Sequence, residues 1–299
     1  MKKVRYVYFL TFLGVYVFFQ CKAQPHEYSS GPTLEEQLPD CVFDPVDTVI
    51  FRQTLSKLRK LPTLSARNAA VAQSFMKTPY IHGTLERPDS EQLVINLRDL
   101  DCWTYVENSL ALALTSMSEE PSFALFAEKV RQLRYHNGQV KGYGSRRHYF
   151  LDWVKNAIDA GYLRDMTADF GGVPLQKNIN YMSTHPAAYP GLRQDSALLQ
   201  VRRREQELSQ IPWLYIPKQH VARIEDYIKD GDLLVFISSK KNLDVEHQGF
   251  ALWGNDGVLR VMHASSTFHR VVVSPRPLSN YLMRLPAMAG IIVLRIRND

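Results

Sequence analysis

The sequence predicts an α+β fold, in which a largely helical first part is followed by an antiparallel sheet. Apolar residues recur at helical spacing through much of residues 47–209, and short β-branched or aromatic runs follow Gly231. The chain has 299 residues, of which 45% are hydrophobic. A chain of this length and composition can bury a large core without disulfide bonds.

The first 24 residues have the pattern of a secretory signal peptide. Three of the first five residues are basic, an apolar stretch follows at 6–19, and Ala23 precedes a predicted cleavage site after Gln24. The apolar stretch is shorter than the roughly 20 residues that cross a bilayer, which disfavours a stable membrane span. Lipid attachment at Cys21 is also disfavoured, because bulky residues precede it. We therefore expect export to a periplasmic or extracellular location.

The predicted mature chain, residues 25–299, is nearly neutral. The whole sequence carries a formal charge of +6, but its first 24 residues hold four basic residues and no acid. The remaining 32 basic and 30 acidic residues give +2. This balance gives no reason to expect a nucleic-acid partner.

The elements follow in order along the mature chain. Residues 25–45 contain four prolines and predict an extended leader. A helix is expected from Asp101, and other helices are expected at about 47–60, 65–77, 121–134, 146–160 and 194–209. The predicted strands are the runs "DLLVFIS", "HQGFALWG", "VLRVMHAS", "FHRVVVS" and "AGIIVLRIR".

One cysteine, Cys102, lies where the helix from Asp101 begins. A helix N-terminus stabilises a thiolate through its unpaired N–H groups and the positive end of its dipole. A cysteine nucleophile also requires an imidazole to move protons and a third group to orient that ring.

Two histidines in the strand-rich part, His247 and His263, are candidates for these roles. A three-residue turn at 255–257 with Gly257 in the left-handed conformation would pair Gly249 with His263. His247 would then lie on the same face, diagonal to His263. A two-residue turn would instead place the two imidazoles on opposite faces, so the register decides the hypothesis.

The order of five short motifs resembles that of the NlpC/P60 superfamily of cell-wall cysteine peptidases. That superfamily shows a Pro-Tyr-x-x-Gly stretch, an Asp-Cys helix start, a Gly-Asp strand, a His-x-Gly strand and a His-Ala strand end. The corresponding segments are "TPYIHGTLE" (78–86), "LDCWTYVE" (100–107), "GDLLVFIS" (231–238), "HQGFALWG" (247–254) and "VMHASS" (261–266).

Further segments resemble one branch, the DUF1460 family, described as N-acetylmuramoyl-L-alanine amidase-like. These segments are "SRRHYFLDW" (145–153), "NYMSTHP" (180–186) and the "GTLE" of 83–86. The resemblance implies one domain over 25–299, with a papain-like core in which a nucleophile helix packs on an antiparallel sheet. It also implies a large helical insertion at about 115–220.

The resemblance implies a role for each matching residue. Cys102 would be the nucleophile, His247 the general base and His263 the orienting third member. Tyr80 matches a tyrosine beside the nucleophile and could help to stabilise an oxyanion. "DCWT" stands where relatives have Asp-Cys-Ser-Gly, and Gly83 is single where they have paired glycines. Both departures concern the substrate pocket.

The implied substrate is a peptidoglycan-derived muropeptide, cut between the lactyl group of N-acetylmuramic acid and L-alanine. Stem peptides carry carboxylates, so Arg146 is the first candidate for binding them. Glu86 could receive a substrate amine or hydroxyl. Further candidates for lining the cleft are Thr84, His148, Tyr149, Ser183 and His185. No metal or other cofactor is expected.

Other interpretations stay open at this point. The same three groups could cut within the stem peptide, after D-glutamate, as many endopeptidases of the superfamily do. A second alternative is a non-catalytic wall-binding module with a disulfide between Cys41 and Cys102. Arg146 and His148 begin a predicted amphipathic helix, where a solvated or capping role competes with substrate binding.

Overall fold

The structure is a computed structural model that describes residues 38–86 and 90–298. The predicted signal peptide, Cys21 and most of the predicted leader lie outside these residues. No helix in the described part is both long enough and apolar enough to cross a membrane.

Eight α-helices, numbered here in chain order, are found in the described ranges. They are α1 Pro45–Leu58, α2 Leu64–Ser74, α3 Cys102–Ser116, α4 Phe123–Arg134, α5 Phe150–Asp159, α6 Tyr181–Thr184, α7 Asp195–Ser209 and α8 Leu278–Met283. Most begin within two residues of their predicted starts.

Ten strands are found in the same ranges, including the five that the sequence predicts after Gly231. They are β1 Cys41–Val42, β2 Leu93–Val94, β3 Leu163–Asp165, β4 Val173–Pro174, β5 Leu214–Pro217, β6 Leu233–Ser238, β7 Val245–Trp253, β8 Leu259–Ser265, β9 Arg270–Val273 and β10 Met288–Ile296.

The main sheet has eight strands. Its order is β4-β5-β10-β6-β7-β8-β9, with β3 also paired to β10. Every pair in it is antiparallel, whereas β1 and β2 form a separate parallel pair. Helices together with an antiparallel sheet confirm the predicted α+β class.

The hairpin that joins β7 to β8 has the predicted register. Phe250 pairs with Met262, which places Gly249 opposite His263. The turn closes through a hydrogen bond from the Gly254 N–H, and Gly257 has the left-handed φ of +69° that a three-residue turn requires.

The region predicted as a helical insertion is not entirely helical. Residues 163–165, 173–174 and 214–217 form β3, β4 and β5 and extend the main sheet beyond β10. These strands have only two to four residues, too few to show the period-2 pattern by which a strand is predicted.

Helix α5 starts later than the prediction of residue 146. Arg146 is extended, with φ −74° and ψ 143°, and forms a β-bridge to Tyr135. No side chain caps the helix at its N-cap residue. Instead, the buried carboxylate of Asp244 accepts a hydrogen bond from the Leu151 N–H in the first turn. Arg146 and His148 therefore precede the helix.

Two apolar clusters cover opposite faces of the main sheet. On one, the α3 face, Tyr105 packs against Phe250 with ring centroids 5.6 Å apart. On the other, the α8 face, Tyr281 packs against Phe236 at 5.8 Å. Alternate residues of each strand contribute to alternate faces, so the register of β7 and β8 decides which cluster each histidine joins.

Candidate active site

Cys102 is the first residue of α3, as the sequence predicts. Asp101 is the N-cap, its carboxylate accepts the Thr104 N–H at 2.8 Å, and the Thr104 hydroxyl accepts the Asp101 N–H at 2.9 Å. This capping box fixes the helix start by pairing otherwise unsatisfied amide groups. It therefore holds the Cys102 side chain at the tip of the helix.

The resting thiol of Cys102 is protonated. Burial and the neighbouring Asp101 carboxylate raise its pKa, while hydrogen bonds from the N–H groups of Cys102 and Trp103 lower it by less. The amide effect expected at a helix start is thus present, but desolvation outweighs it. Reaction at this sulfur requires a base to remove its proton.

Both cysteines in the described part of the chain, Cys41 and Cys102, are free. Cys41 belongs to β1 and pairs with Leu93. The alternative of a binding module held by a Cys41–Cys102 disulfide is therefore wrong for this structure.

The imidazoles of His247 and His263 meet directly. Nε2 of His247 lies 2.6 Å from Nδ1 of His263, and the two rings are nearly perpendicular. Burial and the neighbouring ring of His263 hold the pKa of His247 well below its usual range. Burial lowers the pKa of His263 to about 4. Both rings are therefore neutral near pH 7, and a neutral imidazole is the form that accepts a proton.

The histidine pair lies on the α8 face of the sheet. His247 is paired with Phe236, and their rings stack with centroids 5.8 Å apart. The ring of Tyr281 lies 5.5 Å from that of His263. Nε2 of His263 is buried and has no hydrogen-bond partner among the described residues. Aromatic rings thus fix the two imidazoles from both sides.

Helix α3 packs on the opposite face, and Cys102 lies at its N-terminal tip. Residues 79–80 continue the sheet beyond β9, because Pro79 bridges to Arg270 and Tyr80 to Leu100. The chain then enters α3 at Cys102, two residues after Leu100. This path places the helix tip beside the β9 edge of the sheet.

Electrostatic contacts place the thiol beside the neighbours of the histidines. Burial and then Cys102 raise the pKa of Tyr281, the residue packed on His263, to about 12. Glu246, directly before His247, is among the groups that raise the pKa of Cys102. Within the described ranges, no hydrogen bond joins the Cys102 sulfur to either imidazole.

Tyr80 lies next to the thiol, as the resemblance implies. Its N–H donates to the carbonyl of His269 at 2.9 Å, which ties it to the residue directly before β9. Burial, together with the nearby Cys102 and Asp101, raises the pKa of its hydroxyl to about 12. The hydroxyl is therefore protonated near pH 7 and able to donate a hydrogen bond.

Arg146 is buried between acidic partners. Its Nη2 lies 2.8 Å from Glu86 and its Nε lies 3.4 Å from Glu91, and its guanidinium stands 4.9 Å from the centre of the Tyr143 ring. The exposed fraction of the Arg146 side chain is 6%, against 54% for Glu86. Two protein carboxylates are thus already paired with the Arg146 guanidinium, the group that was expected to bind a substrate carboxylate.

His148 and Tyr149 contact protein groups. The His148 ring lies 4.3 Å from that of Tyr143, and its Nε2 is 2.8 Å from the Tyr143 carbonyl oxygen. The Tyr149 hydroxyl donates to Glu205 at 2.6 Å and accepts the Met182 N–H at 2.8 Å. These contacts connect the segment before α5 to α6 and α7.

The remaining candidates differ in their surroundings. The Ser183 N–H also donates to Glu205, and Nδ1 of the exposed His185 lies 2.8 Å from the carbonyl oxygen of Tyr181. The Thr84 hydroxyl is buried without a hydrogen-bond partner in the described part of the chain. Thr84 is therefore the candidate whose polar group is still unpaired.

Sequence reasoning missed two residues at this site. Tyr281 reaches His263 from α8, which lies outside every quoted motif. Glu246 accepts a hydrogen bond from the Ser238 hydroxyl at 2.9 Å. A carboxylate directly before the His-x-Gly motif was a local signal for Glu246, whereas Tyr281 had no signal of this kind.

No group of three or more His, Cys, Asp or Glu side chains within residues 38–86 and 90–298 is arranged to hold a metal ion.

A family model described as "N-acetylmuramoyl-L-alanine amidase-like" (AmiA-like) matches residues 70–291 of this chain. No curated protein matches. Among solved structures, an N-acetylmuramoyl-L-alanine amidase from Bacteroides uniformis ATCC 8492 is similar at 36% identity and a TM-score of 0.72. The match covers 78% of this chain and 99% of that one.

Two further solved structures are similar. One, from Bacteroides fragilis and named a "putative xylanase", has 37% identity and a TM-score of 0.71, covering 76% of this chain and 100% of that one. The other, protein LPG0564 from Legionella pneumophila, is described as DUF1460 and has 23% identity and a TM-score of 0.63. It covers 84% of this chain and 96% of that one and supports the fold alone.

Proposed function

Because the chain belongs to the N-acetylmuramoyl-L-alanine amidase-like family of cell-wall hydrolases, we propose that it is a cysteine-dependent muropeptide amidase. The bond cut is the amide between the lactyl group of N-acetylmuramic acid and L-alanine. The observation that carries this proposal is the neutral imidazole pair of His247 and His263, packed on Tyr281, a residue that also feels the charge of the helix-start cysteine Cys102.

The proposed mechanism begins with a proton transfer from Cys102 to His247. For Nδ1 of His247 to accept that proton, its Nε2 must carry hydrogen and donate to Nδ1 of His263 across the 2.6 Å contact. His263 thereby fixes the tautomer and orientation of His247. The pKa directions at Cys102 and His247 support a neutral resting pair that ionises as the thiolate attacks.

The sulfur attacks the lactyl carbonyl and forms a tetrahedral intermediate. The Cys102 N–H at the start of α3 and the Tyr80 hydroxyl, kept protonated by a pKa of about 12, are the proposed donors to its oxyanion. The His247 imidazolium then protonates the departing amine, and the stem peptide leaves. Water, activated by His247, releases the muramoyl group from the sulfur.

A glycosidase function of the kind suggested by one neighbour's name has less support. Most glycosidases use two carboxyl groups across the scissile bond. Glu86 and Glu91, the two carboxylates that contact the candidate binding residue Arg146, are both engaged by its guanidinium. The thiol and imidazoles instead have the groups that acyl transfer requires.

The same proposal includes three assignments made from the sequence. We place the protein in the NlpC/P60 superfamily with a papain-like core, on the order of its five motifs. We assign one domain to residues 25–299, with the insertion at about 115–220 contributing helices and edge strands. We also propose export by the N-terminal segment, which suits a substrate found outside the cytoplasm.

Digestion of defined muropeptides tests the proposal. The native protein should release peptides with a free L-alanine amine, identified by mass spectrometry, and Cys102→Ala should abolish release. His263→Asn should lower kcat by roughly 10²- to 10⁴-fold with little change in KM, because it alters general-base catalysis. His220→Asn, at an exposed position, is the control. Peptides that begin instead with the diamino acid would establish the endopeptidase alternative.

A further inference from the structure

A muropeptide amidase must bind the carboxylates of the stem peptide, and the residue expected to do so is already paired. The guanidinium of Arg146 contacts Glu86 and Glu91 and is almost fully buried. A substrate carboxylate entering there would meet two like charges. The carboxylate-binding group must therefore be sought elsewhere on the histidine-bearing face.

The register of β8 and β9 places another arginine on that face. His263 pairs with Val272, and Ser265 pairs with Arg270. Because side chains alternate along a strand, Arg270 points to the same face as Val272 and therefore to the same face as His263. Arg270 is diagonal to His263, a separation of roughly 7–8 Å between backbones.

The backbone of Arg270 is fixed on both sides. It pairs with Ser265 of β8 on one side and forms a bridge to Pro79 on the other. The preceding residue, His269, has a left-handed φ of +53°, and its carbonyl accepts the Tyr80 N–H. The backbone of Arg270 is therefore held in a fixed position, next to the segment that contains Tyr80.

The side chain of Arg270, in contrast, is exposed and has no ion pair or hydrogen bond among the described residues. A charged donor on a fixed backbone, unpaired and facing solvent beside the reacting groups, is available to a ligand. Guanidinium groups bind carboxylates in a bidentate manner.

We propose that Arg270 is a specificity-determining residue that binds a carboxylate of the stem peptide. Since an extended residue spans about 3.3–3.6 Å, the roughly 7–8 Å from His263 corresponds to about two residues. The carboxylate bound is thus one on the second residue of the stem, D-glutamate. This inference rests on the proposed amidase function.

The test compares two substrates. They are N-acetylmuramoyl-L-Ala-D-Glu and the same compound with both carboxyl groups converted to amides. Arg270→Gln should raise KM for the acid by about 10- to 100-fold, the effect of losing a hydrogen bond to a charged group, with kcat little changed. KM for the diamide should be the same in the native protein and the variant.

Two further variants sharpen the comparison. Arg270→Lys keeps the positive charge but loses the two-pronged guanidinium. Its KM for the acid should therefore lie between that of the native protein and that of Arg270→Gln. Arg202→Gln removes an exposed arginine on α7 and should leave both substrates unaffected. Equal KM values for the acid in the native protein and Arg270→Gln, or equal losses on acid and diamide, would overturn the inference.

A binding measurement separates this inference from the function on which it rests. If the native protein cleaves neither substrate, the amidase proposal fails. Calorimetric titration with the dipeptide L-Ala-D-Glu and its diamide then still reports on Arg270. Preference for the acid that disappears in Arg270→Gln supports a carboxylate site, and affinities that do not differ between the proteins exclude it.

Discussion

Two opposing effects act on the thiol of Cys102, and their balance determines how the free protein reacts. The helix-start amides favour the thiolate, while burial and Asp101 favour the thiol by more. A resting thiol limits accidental alkylation or oxidation, because the thiolate is the reactive form. In the proposed mechanism, activation of the thiol then depends on the histidine pair at the moment of attack.

The raised pKa of Cys102 gives a first prediction. Its alkylation by iodoacetamide should increase about tenfold per pH unit to beyond pH 9, since the rate follows the thiolate fraction. Peptide mass spectrometry of the same sample follows Cys41, an internal control whose pKa is raised by burial to about 11. A plateau in the Cys102 rate near pH 6–7 would show a preformed thiolate–imidazolium pair and contradict this description.

Sequence reasoning at the level of single residues predicted the helix-start position of Cys102 and the shared face of His247 and His263, because each belongs to a short local pattern. It did not foresee the surroundings of Arg146. Its partners Glu86 and Glu91 are about 60 residues away in the chain, and only the folded structure brings their charges together.

Among the elements, the β7–β8 hairpin was the most predictable. The turn at 255–257 fixes the register by local chemistry, so the shared face of the two histidines followed from counting. The sequence did not predict which face of the sheet α3 packs against, because that depends on how the sheet curves. The start of α5 was also missed, because its first turn is capped by Asp244, far away in sequence.

Gly249 gives a prediction at this scale. A Cβ at this position would lie 2.7 Å from the Met262 carbonyl oxygen and 2.9 Å from Cβ of His263. Gly249→Ala should therefore move β8, lower the free energy of unfolding by about 1–3 kcal/mol and reduce kcat at least tenfold. Urea denaturation and muropeptide assays measure the two effects.

The matched control is Gly172→Ala, whose Cβ would lie 2.7 Å from Thr167 at the far edge of the sheet. It should destabilise the protein to a similar extent but leave kcat unchanged. Equal kcat in the two variants would mean that the close approach at Gly249 does not position His263.

For the whole molecule, buried neutral histidines make stability depend on pH. Burial lowers the pKa of His263 to about 4, whereas an unfolded histidine titrates near 6.5. Below pH 6.5 the unfolded chain binds more protons at His263 than the folded chain does. The contribution of the neutral His263 to the free energy of unfolding is therefore complete above pH 6.5 and is lost as the pH falls towards 4. Asp244 acts in the opposite sense because burial raises its pKa to about 6, but its shift is smaller.

Urea denaturation at pH 7 and pH 4.5 checks this linkage. Between these pH values the native protein should lose roughly 2–3 kcal/mol more stability than His263→Gln, which lacks the buried titrating ring. The comparison of two proteins cancels the contributions of Asp244 and of the surface carboxylates. Identical losses would show that His263 titrates normally in the folded state.

Strand β10, the last in the described part of the chain, lies in the middle of the main sheet, between β5 and β6. Until residues 288–296 are synthesised, the β4–β5 pair and the group from β6 to β9 have no strand to join them. Assembly of the sheet must therefore await translation of this segment. Premature termination upstream of it would leave the histidine-bearing strands without half of the sheet that supports them.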